Sequence, residues 1–153
     1  MGNEELVSLA HYGRVPYLAP DNLEDPTFLS SIKKGTPDLI LVASYDRKIP
    51  SSVLAVPRYG CLNIHPSLLP RYRGACPEFW ALRNGEKHTG VSIHFMNEGF
   101  DQGDVIMQEK VAIDPFDTLG VLLYKISTVS AVLLSTVLEK IEADDKLSAF
   151  PQE

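Results

Sequence analysis

Apolar residues occur along the chain both as short continuous runs and as a longer helical repeat. The runs at 38–44 and 60–65 have the length of strands, and continuous runs are typical of strands covered on both faces of a parallel sheet. The segment 118–141 instead carries apolar residues every three or four positions, which predicts a helix with one face on the sheet. That face consists of Leu119, Leu122, Ile126, Val129, Leu133, Val137 and Ile141.

Capping and turn residues mark the ends of the other elements. Asp25 followed by Pro26 predicts a helix start, and Asp117 is predicted to cap the last helix. Further helices are predicted at 4–12, 26–34, 51–56 and 77–84, and further strands at 15–18, 90–96 and 105–111. Strands that alternate with helices favour an α/β fold, and the length fits one domain, residues 1–153.

Charge and composition narrow the classes of partner. The formal net charge is −6, whereas a nucleic-acid partner usually demands a basic face, so a small-molecule partner is favoured. Lys125 and neighbouring polar residues interrupt the apolar stretch 118–141, so we expect no membrane span. Glu4 and Glu5 stand where a signal peptide carries basic residues, which predicts a cytoplasmic protein with reduced cysteines.

Asn63 and His65 are the first candidates for chemistry. They lie two residues apart in a predicted strand, so their side chains point to one face at the end of the sheet where α/β proteins bind ligands. On spacing alone they could equally be a hydrogen-bonded pair at a strand end without a catalytic role. The next loop, 97–104, holds Asp101 among glycines, a composition that a plain turn also uses. The loop lacks the spacing of a calcium-binding loop, and two cysteines are too few for a zinc site, so no metal is predicted.

Together these segments resemble the family of 10-formyltetrahydrofolate-dependent formyltransferases. The shared motif is Asn-Ile-His-Pro-Ser-Leu-Leu-Pro at 63–70, followed by Gly74 and by Asp101, which lies 38 residues after Asn63. The resemblance implies a Rossmann-like formyltransferase fold, with a mostly parallel sheet and helices on both faces. The family opens with a β-α-β unit with a glycine-rich first turn, whereas no strand is predicted here before the first helix, so we expect an N-terminally shortened fold.

The resemblance also implies roles for individual residues. Asn63 and His65 would donate hydrogen bonds to the oxyanion formed when an amine attacks the formyl carbon, and Asp101 would favour the imidazolium form of His65 and accept a proton. The folate 10-formyltetrahydrofolate is the implied co-substrate. The residues implied to line its pocket are Tyr45, Asp46, Arg47, Ile49, Asn97, Glu98, Gly99 and Phe100.

The acceptor is left open by the resemblance. The segment 77–82 is similar to the sugar-formylating branch, which favours a small amine acceptor such as an amino sugar nucleotide, and the negative charge argues against tRNA. Water in place of the amine would make the protein a formyltetrahydrofolate hydrolase. A shortened fold could also be a catalytically incomplete folate- or sugar-binding protein.

Two structural expectations complete the sequence analysis. The family bends its loop at the position of Leu69 and Pro70, which predicts a cis peptide bond there. The strand at 38–44 would lose a neighbour in a shortened sheet. We expect a homodimer to bury this edge near Leu39 and Leu41, with inward movement of the strand 15–18 as the main alternative.

Overall fold

Five helices and four strands are present in residues 3–143 and 146–153, which the computed structural model describes. The helices are α1 (Asn3–Tyr12), α2 (Pro26–Gly35), α3 (Ser51–Leu54), α4 (Pro77–Arg83) and α5 (Leu119–Glu142). The strands are β1 (Ile40–Ala43), β2 (Cys61–His65), β3 (His88–Phe95) and β4 (Val105–Ala112). The predicted α/β class is therefore confirmed.

The four strands form one sheet in the order β1-β2-β3-β4. β1 and β2 are parallel, whereas β3 is antiparallel to both β2 and β4, so the sheet is mixed and not mostly parallel as predicted. The continuous apolar runs indicated burial on both faces, and burial does not encode strand direction. The short connection 96–104 joins β3 to β4 as antiparallel neighbours, because parallel neighbours need a longer crossover.

Helices cover both faces of the sheet, as predicted. On one face, Val42 of β1 packs with Phe28 and Leu29 of α2 and with Val53 of α3. On the other face, the buried side chains of α5 pack against those of β2, β3 and β4. The residues of α5 in this core are Leu122, Ile126, Leu133 and Val137, all members of the predicted apolar face. Leu119, the first residue of that face, is instead exposed.

The predicted helix ends are confirmed at α2 and wrong at α5. The Asp25 carboxylate accepts hydrogen bonds from the backbone amides of Thr27 and Phe28 at 2.9 and 3.0 Å. At α5 the capping residue is Thr118, whose hydroxyl accepts from Val121. Asp117 accepts from the amide of Asp114 and from Lys125, because it lies one residue too early to reach the first turn of the helix.

The predicted strand at 15–18 is wrong, since these residues have no strand structure and no ladder partner in the described part of the chain. Val15, Tyr17 and Leu18 are exposed, as expected for a segment that does not pair with another strand. β1 consequently lies at the edge of the sheet with Leu41 exposed, and the inward shift of 15–18, the alternative to a homodimer, is not observed.

Helix α5 is long and apolar enough to cross a membrane by length and composition, with a mean hydropathy of 1.8 in its most apolar window. Such a test also selects core helices of globular domains. Leu122 and Val137 of α5 are fully buried against the sheet, as they would be in a core helix. The expectation that this segment does not span a membrane stays a prediction.

Candidate active site

Two neighbouring strands present polar side chains on one face. Asn63 and His65 of β2 pair with His94 and Ser92 of β3, respectively, and paired residues share a face. His65, Ser92 and His94 are buried, with at most 4% of each residue exposed. Buried polar groups need partners, so this face must be organised by hydrogen bonds.

Asp101 reaches this face from the loop between β3 and β4. Its Oδ1 accepts a hydrogen bond from Asn63 Nδ2 at 3.1 Å and lies 3.5 Å from His65 Nδ1. Its Oδ2 accepts from the backbone amide of Gly74 at 2.9 Å. The structure therefore brings together the three residues that the sequence singled out, 38 positions apart at the extremes.

The loop after β2 is anchored by a buried polar network. The Leu69–Pro70 peptide bond is cis, which confirms the sequence prediction. Ser92 Oγ donates to the carbonyl of Ser67 at 2.6 Å and accepts from the amide of Leu69 at 3.1 Å. Gln108 of β4 donates to the Leu69 carbonyl at 2.9 Å. These contacts set the path of the loop that carries Gly74 to the Asp101 carboxylate.

His94 is a site residue that the sequence analysis missed. Its Nδ1 lies 2.7 Å from the carbonyl of Phe95, which only accepts, so Nδ1 carries the proton. Its Nε2 lies 3.2 Å from Asn63 Nδ2 and 3.6 Å from Asp101 Oδ1. In the neutral ring Nε2 accepts a hydrogen bond from Asn63 Nδ2. This contact orients the Asn63 amide with its nitrogen towards the site. The sequence signal that could have identified His94 is that it and Ser92 are polar residues two positions apart in a buried strand.

Asp101 is held as a carboxylate. Burial raises the pKa of Asp101, but the neighbouring His94 ring and the hydrogen bond from the Gly74 amide outweigh it and lower that pKa to about 2. Hydrogen bonds to the charged form of a carboxyl favour that form. Asp101 is therefore ionised at neutral pH and is available as an acceptor.

Burial lowers the pKa of His65 below its usual value, although the Tyr72 carbonyl and Asp101 both raise it. The expected imidazolium is thus not favoured, because desolvation of the buried ring exceeds the attraction of Asp101. His65 Nε2 lies 2.9 Å from the Tyr72 carbonyl and must donate there. In the neutral ring the unprotonated nitrogen is Nδ1, which faces Asp101.

The lowered pKa of His65 predicts that the protein loses stability on mild acidification. The unfolded chain takes up a proton on this residue before the folded chain does, so the free energy of unfolding falls between about pH 6.5 and the folded pKa. Urea unfolding at about pH 7 and about pH 5.5 should show a smaller loss in His65→Gln than in the wild type. His11→Gln, which removes an exposed histidine of α1, is the control. Equal losses in wild type and His65→Gln would contradict the prediction.

The residues expected to bind the folate form two adjacent segments. Lys48, in the segment after β1, lies 5.2 Å from the ring centre of Phe100, in the loop that holds Asp101. Arg47 donates to the carbonyl of Asp21 at 3.0 Å and stacks near the Tyr45 ring. The Ile49 side chain is buried in the core with Val42, so only its backbone could face a ligand. The exposed members of the predicted set are Asp46, Arg47, Asn97, Glu98 and Phe100.

Two cavities of the molecule lie away from Asn63, His65 and Asp101. Cavities of about 430 and 760 Å³ are lined by other residues, near Asp114 and near Lys33 respectively. Asn63 is partly exposed, and in the segments expected to bind the folate residues 46–48, 97, 98 and 100 are exposed. Within the described part of the chain, no three His, Cys, Asp or Glu side chains are grouped so as to hold a metal ion.

Residues 4–138 match the protein family described as Formyl transferase. The methionyl-tRNA formyltransferase of Syntrophus aciditrophicus (strain SB) is 43% identical over 145 residues, which cover 90% of this chain and 46% of that protein. The methionyl-tRNA formyltransferase of Pelotomaculum thermopropionicum is 46% identical over 130 residues, covering 85% of this chain and 42% of that protein. The chain therefore spans less than half the length of these relatives.

Solved structures share the fold. Phosphoribosylglycinamide formyltransferase from Bacillus halodurans superposes with a TM-score of 0.82 at 32% identity, over 92% of this chain and 76% of that one. A formyltransferase from Anoxybacillus kamchatkensis, solved with a formamido sugar nucleotide and tetrahydrofolate, has a TM-score of 0.76 at 22% identity, over 100% of this chain and 78% of that one. The second likeness concerns the fold alone.

Proposed function

Because the chain belongs to the formyl transferase family, we propose that it transfers the formyl group of 10-formyltetrahydrofolate to an amine, with Asn63, His65 and Asp101 at the reacting atoms. One observation carries the proposal. The Asn63 amide and the unprotonated nitrogen of His65 both lie within 3.5 Å of the same oxygen of Asp101. Hydrogen-bond donors and proton acceptors thus surround one point, as acyl transfer requires.

The reaction needs charge stabilisation and two proton movements. The acceptor amine attacks the formyl carbon, forming a carbon–nitrogen bond and placing negative charge on the formyl oxygen. The amine then loses a proton, the bond from the formyl carbon to N10 of the folate breaks, and N10 gains a proton. The products are the formamide and tetrahydrofolate, so no oxidant or reductant is required.

Each residue has a distinct task in this scheme. Asn63 donates from its amide to the developing oxyanion, in place of one of its present contacts with Asp101 and His94. The proton lost by the amine is shared by His65 Nδ1 and Asp101 Oδ1. When the proton is on His65, the resulting imidazolium faces an ionised carboxylate. Tyr72, through its carbonyl, keeps the His65 ring in the orientation that exposes Nδ1 to Asp101.

The folate is proposed to lie along the segments 45–49 and 97–100. Phe100, next to Asp101 in the chain, is half exposed, and the Ile49 side chain is buried, so Ile49 would face the folate through its backbone. The contact between Lys48 and Phe100 keeps the two segments adjacent, which supports a single pocket formed by both. The residues proposed to line this pocket are Tyr45, Asp46, Arg47, Ile49, Asn97, Glu98, Gly99 and Phe100.

The prediction from net charge that argued against tRNA is wrong, because the curated relatives are named methionyl-tRNA formyltransferase. Net charge is summed over a whole chain, whereas the binding of nucleic acid depends on local charge. The matched region also covers less than half of these relatives. We therefore propose the amine of methionyl-tRNA as the acceptor.

The test is an assay with 10-formyltetrahydrofolate and three acceptors: methionyl-tRNA, uncharged tRNA and water alone. We expect tetrahydrofolate release and formylmethionyl-tRNA only with the charged tRNA. Release without any amine would indicate the hydrolase. Binding of the folate without turnover under all three conditions would indicate the catalytically incomplete protein and would overturn the proposal.

Two further expectations accompany this function. A cytoplasmic location suits a folate-dependent transferase and stays a prediction. The homodimer through the β1 edge also stays a prediction, supported by the exposure of Leu41 at that edge. Sedimentation at micromolar concentration tests it, and a monomer there would exclude it.

A further inference from the structure

The backbone of Asp101 is held by residues that lie outside the three proposed at the reacting atoms. Gln152 Nε2 donates to the carbonyl of Asp101 at 2.9 Å and to the carbonyl of Gly103 at 2.7 Å. Arg73 Nε donates to the same Asp101 carbonyl at 3.1 Å. Arg73 also donates to Gln152 Oε1, at 3.0 Å from Nε and 2.6 Å from the terminal nitrogen. The two side chains and the loop therefore form one closed set of hydrogen bonds.

Asp101 needs external support because its backbone is strained. Its φ of 52° lies in the left-handed region, which is unfavourable for a residue with a Cβ. Such a conformation persists only where the surroundings over-determine it. The loop is exposed at Asn97, Glu98 and Phe100, so its own apolar contacts do not supply that support.

The position of Gln152 is itself fixed by a backbone contact with the sheet. Phe150 forms a two-way backbone bridge with Val105, the first residue of β4, with both hydrogen bonds at 2.9 Å. This bridge fixes the chain two residues before Gln152, which is half-buried. Arg73 is equally constrained, because its neighbour Gly74 donates to the Asp101 carboxylate.

We propose that Gln152 and Arg73 are positioning residues, which hold the Asp101 loop so that its carboxylate meets Asn63 and His65. Arg73 and Gly74 donate hydrogen bonds to the carbonyl and to the carboxylate of Asp101, respectively. Gln152 donates to the carbonyls of Asp101 and Gly103. The catalytic consequence rests on the proposed function, but the placement of the carboxylate does not.

The kinetic test uses Gln152→Met, which keeps the length of the side chain and removes its amide. We expect kcat to fall on the order of 10-fold, with KM for the folate changed less than about threefold, because a displaced proton acceptor slows the chemical step. Arg73→Met should act in the same direction. Ser148→Ala, an exposed residue of the same segment, is the matched control and should leave kcat unchanged.

A double-mutant cycle separates positioning from general destabilisation. If Gln152 acts through Asp101, Gln152→Met should have almost no further effect on kcat once Asp101→Asn is present. A loss of the same size in both backgrounds would show that Gln152 acts elsewhere and would overturn the proposal.

A readout that needs no turnover distinguishes this proposal from the proposed function. The side-chain amide protons of Asn63, which contact Asp101, report the position of the carboxylate in an NMR spectrum. We expect these peaks to shift in Gln152→Met towards their positions in Asp101→Ala and to stay in place in Ser148→Ala. Unshifted peaks would refute the positioning role, whether or not the wild type transfers formyl groups.

Discussion

Replacing Asn63 with Ala should lower kcat for formyl transfer on the order of 10²–10³-fold, the usual cost of losing one oxyanion donor. Of the three residues, Asn63 is the one that faces the reacting atoms with an amide nitrogen, Nδ2, which can only donate hydrogen bonds. Its loss removes stabilisation that is realised only in the transition state, so KM for the folate should change little. Single-turnover measurements with 10-formyltetrahydrofolate would resolve the chemical step.

Two further variants sharpen this expectation. Asn63→Asp keeps the shape but places a second carboxylate beside Asp101, so it should be at least as inactive as the alanine variant. Asn22→Ala removes an asparagine whose side-chain oxygen accepts from the amide of Glu24, and it should leave kcat unchanged. A loss below about threefold in Asn63→Ala would exclude the oxyanion role, which is usually worth far more.

The spacing of Asn63 and His65 predicted their shared face because period-two geometry is local to a strand. The position of Asp101 could be predicted only through the resemblance, since nothing in the loop sequence specifies which strands flank it. His94 was missed for a related reason. A histidine in an apolar run looks like a core residue until the pairing of Asn63 with His94 is known, and strand pairing is a long-range property.

The fold shows the same division between local and long-range information. The Asp25 cap and the apolar face of α5 depend on neighbours within a few residues, and both were predicted correctly except at Leu119. Strand direction, the absence of pairing at 15–18 and the balance that lowers the pKa of His65 depend on distant contacts. Desolvation in particular follows from how completely the ring is enclosed, which the sequence around His65 does not state.

Replacing Gly103 with Ala should disrupt both stability and catalysis. A Cβ on Gly103 would lie 1.8 Å from the carbonyl oxygen of Phe95, far inside contact distance. Phe95 belongs to β3, which is paired on both sides and cannot shift without breaking the sheet. The loop must move instead, and it carries Asp101 two residues away. Overpacking of this kind costs about 1–3 kcal/mol of unfolding free energy.

The activity of Gly103→Ala should fall by more than the loss of folded protein explains, on the order of 100-fold, because a displacement near 1 Å at a catalytic group has that effect. Urea unfolding gives the stability, and kcat is measured where the variant is fully folded. Gly120→Ala is the matched control: its Cβ would meet only Thr118 Oγ1 at 3.9 Å. Because Gly120 lies within α5, alanine there should stabilise the protein by about 0.5–1 kcal/mol. A fully active Gly103→Ala would show that the loop tolerates displacement and that Asp101 need not be held against Asn63.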